Sequence, residues 1–269
     1  MNPKSQIALC FSILLLSISA KADVDFKKAF GERDGCFILS ELESGKTIAE
    51  FNSQRCARRL SPCSTFKIAA AVMGFDKGVL KDENQIIKWD GIKRDRKELD
   101  QNQTPYTWMS HSAKWVTEWL MPQFGKKEIQ RYLDAFDYGN RDFSGGLKDA
   151  WVTSSLEISA NEQVAFLSKL WKSKLSASER SQKLTRKIIF IEKLDNGFDL
   201  YGKTGSGCLQ GHACMDRPGE MLGWFVGAIE KKSKIYIFAA NASDLLDQRP
   251  PGGPRVRTTT VDILNQLKL

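Results

Sequence analysis

The run Met221-Leu222-Gly223-Trp224-Phe225-Val226-Gly227-Ala228-Ile229-Glu230, followed by Lys234-Ile235-Tyr236-Ile237-Phe238-Ala239-Ala240-Asn241, decides the fold. Both pieces are rich in β-branched and aromatic residues and read as strands. Phe198–Gly202 is a further strand signal just upstream. Near the start, Gly35 to Leu42 and Thr47 to Phe51 flank a Ser44-Gly45-Lys46 turn and read as a hairpin. Between these ends the apolar spacing is helical: Thr65 to about Leu80, with Gly78 near its end, then Trp108–Phe124, Lys127–Phe136, Ser159–Leu175 and Ser178–Leu194. Ser159 with Glu162 makes a capping box, and a last amphipathic helix is expected near Thr258–Leu267. Strands therefore sit at both ends, and no βαβ alternation is visible, which argues against a doubly wound parallel sheet. The expectation is an α+β fold. An antiparallel sheet from about 23–60 and 196–269 is flanked by helices, with an inserted all-helical region over about 61–195. The cleft between the two parts is the natural place for a site.

With 269 residues the chain can bury a substantial core, and 42% hydrophobic with 27% charged residues is ordinary for a globular protein. The first residues read as a secretory leader. Lys4 precedes an apolar run, Ile7 to Ile18, too short to span a bilayer, and Ala20-Lys21-Ala22 fits a small-x-small cleavage site. The expected division is thus 1–22 as a signal peptide and 23–269 as the catalytic domain, exported to the periplasm or beyond with no membrane attachment after cleavage. Cleavage lowers the net charge from +8 to +6, because Lys4 and Lys21 leave and no acid does. Lys93, Arg94, Arg96 and Lys97 alternate with Asp95, Glu98 and Asp100, a solvated surface rather than a phosphate track, so nucleic acid is excluded as a partner. A metal site is not expected, since only His111 and His212 occur and there is no C-x-x-C. Export predicts that some of Cys36, Cys56, Cys63, Cys208 and Cys214 pair, though their spacing leaves the pairing open. Oligomeric state is not legible.

Ser64-Thr65-Phe66-Lys67 opens the first helix after Pro62. Residues three apart share a helix face, so Lys67 can reach the Ser64 hydroxyl, and serine needs such a neighbouring base to become a nucleophile. A helix start also aims backbone N–H groups at a developing oxyanion. Lys203-Thr204-Gly205-Ser206-Gly207 ends a strand, where a lysine, a hydroxyl and yielding glycines suit an anionic substrate group. S-x-x-K upstream of K-T-G, in that order, is the pattern of penicillin-recognising serine enzymes. Gly45-Lys46-Thr47 imitates a P-loop ending but sits in a hairpin turn with Ser40 where the first glycine belongs. A Ser-His-Asp triad lacks its G-x-S-x-G elbow.

Over nearly the whole mature length the chain resembles the class D, oxacillinase-type serine β-lactamases. The resemblance rests on Ser64–Lys67, Tyr138-Gly139-Asn140, Trp151 followed by Leu156-Glu157-Ile158-Ser159, and Lys203-Thr204-Gly205; the absence of S-D-N separates it from class A. It implies the α/β sandwich of the serine β-lactamase and penicillin-binding type and hydrolysis of small-molecule β-lactams. By the same resemblance Ser64 is acylated, and Lys67, carbamylated by carbon dioxide with no other cofactor, is the general base. Trp151 donates to the carbamate, the amides of Ser64 and Ser206 form the oxyanion hole, and Ser112 relays a proton. Lys203 and Thr204, followed by Gly205, hold the substrate carboxylate, helped by Arg257 with Arg255 as competitor. The rivals are a penicillin-binding sensor domain that acylates without turning over, and a D,D-peptidase.

Two departures from the family stand out. Ser112-Ala113-Lys114 occupies the place of S-x-V. Lys114 is expected either to point inward and act on the modified lysine or to send its ammonium to solvent. Cys63 adjoins the nucleophile, where its thiol is either acidified by the helix start or packed away.

Overall fold

The computed structural model describes residues 24–152, 154–209, 221–244, 252–267 and 269. The leader expected over 1–22, His212 and Cys214 lie outside them. Strands β1 (Gly35–Glu41), β2 (Thr47–Phe51), β3 (Phe190–Lys193), β4 (Asp199–Cys208), β5 (Met221–Lys231) and β6 (Lys234–Asp244) form one antiparallel sheet in the order β2-β1-β6-β5-β4-β3. In chain order the helices are α1 (Phe26–Phe30), α2 (Ser53–Ala57), α3 (Lys67–Asp76), α4 (Pro105–Ser110), α5 (Lys114–Leu120), α6 (Gly125–Phe136), α7 (Ala160–Trp171), α8 (Glu179–Ile188) and α9 (Gly253–Gln266). The antiparallel α+β expectation holds, and the two chain ends meet in mid-sheet, where Phe37 of β1 faces Ala240 of β6.

The continuous apolar runs of β5 and β6 have a physical cause: both faces of the sheet are covered. Successive strand residues point to opposite faces. Trp224, Val226 and Ala228 with Ile237 and Ala239 pack into the core shared with α3 to α8. Phe225, Ile229, Phe238 and Ala240 pack on the other side, with Phe30 of α1 and Val256, Ile263 and Leu264 of α9. In the helical region α3 is buried from Lys67 to Phe75 on every side, as expected of a helix at the centre of a core.

Several boundaries differ from expectation, each for a local reason. The strand β3 replaces the end of the helix expected over Ser178–Leu194; Ile188-Ile189-Phe190-Ile191 is an apolar run that periodicity alone cannot assign. At the last helix, α9 begins five residues early, at Gly253. The capping box stands, with Ser159 Oγ accepting from Glu162 N (3.2 Å) and Glu162 Oε2 from Ser159 N (2.9 Å).

The helix expected over Trp108–Phe124 is broken at Ser112. Ala113 N donates to Trp108 O (3.1 Å) and Ser112 N to Met109 O (3.2 Å), the paired bonds of a Schellman closure. That closure needs a left-handed residue, normally glycine, and Ser112 adopts it with φ +56°. A side chain in this conformation costs about 1 kcal/mol or more. Ser112→Gly should therefore raise the midpoint of urea denaturation, by an amount worth roughly 1 kcal/mol; a lowered midpoint would refute strain at Ser112.

Candidate active site

The chain reaches Ser64 along a tightly held path. Leu60 and Ile158 exchange backbone hydrogen bonds (3.1 and 2.9 Å). Trp224 Nε1 donates to Ser61 O (2.9 Å), and Ser61 Oγ donates to Trp151 O (2.9 Å). Cys63 then turns the chain with φ +50°, a strained conformation of the kind that gathers at functional sites. Ser64 follows on a 3₁₀ turn, Cys63–Phe66, rather than inside the expected α-helix, which starts only at Lys67. The three-residue spacing still brings the side chains together: Lys67 Nζ donates to Ser64 Oγ at 3.1 Å.

Lys67 is 0% exposed. A buried ammonium whose hydrogen bond goes to a hydroxyl is costly, so the neutral amine is favoured, with the charge of Glu118 opposing. Burial, and next the charge of Lys114, push Lys67 down to about 7. Lys114 itself does not point inward. It starts α5, and its Nζ pairs with Glu118 Oε1 (2.7 Å) and Asp149 Oδ1 (3.3 Å) at the surface. The outward alternative thus holds for its position, while its field still reaches Lys67. Cys63 is not acidified either. Its buried thiol is pushed up to about 12 by desolvation, and it is free, as are the buried Cys36 and Cys56; Cys208 is in a disulfide.

An aromatic cluster surrounds Phe66, the residue before Lys67. Trp151 stacks on Phe66 (5.4 Å, 22°) and Phe143 (6.1 Å, 21°). Among the described residues its buried Nε1–H has no hydrogen-bond partner. Tyr138-Gly139-Asn140 anchors the loop that carries it. Asn140 Nδ2 donates to Ser155 O (2.7 Å), and Asn140 Oδ1 accepts from Glu157 N (3.0 Å), closing the loop at its base. Gly139 is required there: its φ is +55°, and a Cβ would come 2.0 Å from Glu157 O.

Strand β4 lies against the turn that carries Ser64. A Cβ on Gly205 would lie 2.9 Å from Pro62 O and 3.3 Å from Cys63 Cβ, so only glycine lets β4 run against the turn that presents Ser64. Ser206 Oγ accepts from Gly253 N (2.9 Å), fixing the start of α9 to the same strand. Lys203, 4% exposed, donates to Thr204 O (3.0 Å) and Thr204 Oγ1 (3.4 Å). Burial lowers its proton affinity well below the ordinary lysine range, and the charges of Lys67, Arg96 and Arg257 act in the same direction.

Arg257 lines one cavity with Lys203 and Thr204, and a second, of about 550 Å³, with Thr204 and Ser112. Its Nη2 is paired with Glu192 Oε1 at 2.6 Å. Sequence reading missed Arg96, which lines the larger cavity as well and donates to His111 O, beside Ser112. No local signal marks it, because it stands in a run of alternating charges. Among the described residues there is no cluster of His, Cys, Asp and Glu fit for a metal ion.

Comparison with known proteins agrees with this arrangement. Residues 17–255 match the family described as penicillin binding protein transpeptidase domain. β-Lactamase OXA-1 of Escherichia coli is 35% identical, over 99% of this chain and 100% of its own length. The probable β-lactamase YbxI of Bacillus subtilis is 34% identical, over 93% of this chain and 86% of its own. The crystal structure of a class D β-lactamase from Bacillus subtilis superposes with a TM-score of 0.80 at 33% identity, covering 92% of this chain and 97% of the other. A buried lysine against a serine, a K-T-G strand beside them and likeness over the full length have one explanation: the chain belongs to the class D β-lactamases.

Proposed function

We propose that the protein hydrolyses β-lactams through an acyl-enzyme on Ser64, the activity its relatives' names carry. The observation that carries this is the 3.1 Å contact between Ser64 Oγ and a lysine amine whose proton is weakly held. Neutral Lys67 takes the Ser64 proton as Oγ adds to the lactam carbonyl carbon. The N–H groups of Ser64 and Ser206 receive the oxyanion. As the carbonyl re-forms, the ring C–N bond breaks, and Ser112 relays the proton held by Lys67 to the departing nitrogen, which frees the base again. Lys203, Thr204 and Arg257 hold the substrate carboxylate throughout. Water then gives a proton to the base at Lys67, adds to the ester carbonyl and expels Ser64 Oγ, which recovers a proton.

We read Lys67 as the place of a carbamate made with carbon dioxide, which would supply an anionic oxygen as acceptor for the serine and water protons. Two features fit it: an amine driven toward neutrality, the form that adds carbon dioxide, and the unpartnered indole N–H of Trp151. Export by a leader over residues 1–22, leaving 23–269 as the catalytic domain in the periplasm or outside the cell, completes the reading. Among the described residues no helix is long and apolar enough to cross a membrane.

Purified protein given excess chromogenic cephalosporin in bicarbonate-supplemented buffer should turn over far beyond one equivalent. Ser64→Ala should lose at least about 10³-fold in kcat. A single stoichiometric burst would instead identify a penicillin-binding protein that fails to deacylate. In bicarbonate-depleted buffer the acylation rate should rise with pH through about 7, as Lys67 loses its proton. Because the Lys114 charge lowers Lys67, Lys114→Val should move that limb to higher pH; an unmoved limb would show that the charge does not reach the base. Trp151→Phe should abolish the gain in turnover that bicarbonate gives wild type, and a retained gain would remove the indole from the carbamate site.

A further inference from the structure

The basic run Lys93 to Lys97 reads as undifferentiated surface charge, but the fold separates its members. Arg94 is spent on Asp90 (Nη2–Oδ2 2.5 Å) and lies over the ring of Trp115, 5.6 Å from its centroid. Arg96, two residues on, turns the other way. It lines the 550 Å³ cavity with Ser112, Thr204 and Arg257. One of its Nη atoms is held by the carbonyl of His111, the residue before the strained Ser112. Its Nε stands 3.4 Å from Glu98 Oε1, a loose pair with both side chains about half exposed. A guanidinium has five N–H donors in a planar fork, so a second edge remains for a ligand.

The electrostatics of the cleft agree. The charges acting on Lys203 are those of Lys67, Arg96 and Arg257, all of one sign. Two acids, Glu192 and Asp262, also line the cavity, but Glu192 is taken up by Arg257 at 2.6 Å. Arg257 therefore enters the cleft with its charge largely answered, whereas among the described residues the acid paired with Arg96 is Glu98, at 3.4 Å.

We propose that Arg96 is a substrate-binding residue. Its guanidinium, steadied by the His111 carbonyl, pairs with the substrate carboxylate across the cavity from Arg257, while Lys203 and Thr204 hold that group from the strand side. The assignment rests on the β-lactamase reading, since it needs an anionic substrate in that cleft. It also gives the run Lys93 to Lys97 a function that its pattern conceals: one cation turned into the site and its neighbour locked away from it. Because the carboxylate is present in both bound substrate and transition state, the contact contributes uniform binding and should act on KM more than on kcat.

The test compares wild type, Arg96→Gln and Arg96→Lys with benzylpenicillin, measuring kcat, KM and the dependence of kcat/KM on ionic strength. Loss of a charged contact at this half-exposed position predicts a KM raised about tenfold in Arg96→Gln, with kcat changed less than about threefold. Arg96→Lys should recover most of the affinity. The fall of kcat/KM with added salt should be steeper in wild type than in Arg96→Gln, because the lost contact is the screened one. A purely structural clamp on the His111–Ser112 turn would show the reverse: a lowered kcat, an unchanged KM and equal salt slopes. That result, or no change in any parameter, overturns the proposal. If wild type acylates but does not turn over, the same comparison is made on the acylation rate. If wild type does neither, the β-lactamase reading itself has failed, and the Arg96 assignment falls with it.

Discussion

A lysine amine sealed 0% exposed against the nucleophile, its hydrogen bond going to a hydroxyl rather than a carboxylate, is the constraint on which the site depends. Burying an ammonium without a partner is costly, and the cheaper solution is for the amine to shed its proton. That solution demands a dry surrounding, and the fold supplies it on each side. Helix α3 is buried from its first residue, Trp151 stacks on Phe66 just ahead of Lys67, and β4 packs against the turn that carries Ser64. The chemistry of Ser64 is thus a consequence of packing: a wetter pocket would leave Lys67 protonated and the serine inert.

Close approach is the second requirement, and small residues meet it. Gly205 lets β4 lie against the Pro62–Cys63 turn. The sheet holds β4 there because both its faces are buried, so a one-residue slip would exchange its two cores. Two left-handed residues without the glycine excuse, Cys63 and Ser112, stand beside the nucleophile and in the cavity wall. Strain of this kind persists only where the surroundings over-determine it. Here the surroundings are the Trp224–Ser61 and Ser61–Trp151 bonds beside Cys63 and the backbone bonds from Ser112 and Ala113 to Met109 and Trp108 at the other turn.

The strands at the two chain ends and the Ser159–Glu162 cap were legible because each leaves a local signature. So were Ser64, Lys67 and Lys203, whose motifs carry their own geometry. The break at Ser112 was not, since the residue that closes α4 is one whose type ordinarily argues against a left-handed cap. The edge strand β3 was hidden in an apolar run that suits helix and strand equally. Arg96 and Lys114 show a different limit. Their roles depend on which way a long side chain turns, and that is decided by Glu118, Asp149 and the His111 carbonyl, partners distant or unmarked in sequence.

The two buried lysines can be understood only together. Burial lowers the proton affinity of both, and the charge of Lys67 lowers that of Lys203 further. Their contacts are unequal: Lys203 donates to the Thr204 carbonyl, an acceptor that favours its charged form, while Lys67 donates to the Ser64 hydroxyl. A carboxylate arriving at Lys203 strengthens that inequality, because it holds the proton on the lysine it touches. The positive charges gathered around the cleft thus favour an anion there and, through Lys114 and Arg96 on one lysine and Lys67, Arg96 and Arg257 on the other, weaken the hold of Lys67 and Lys203 on their protons.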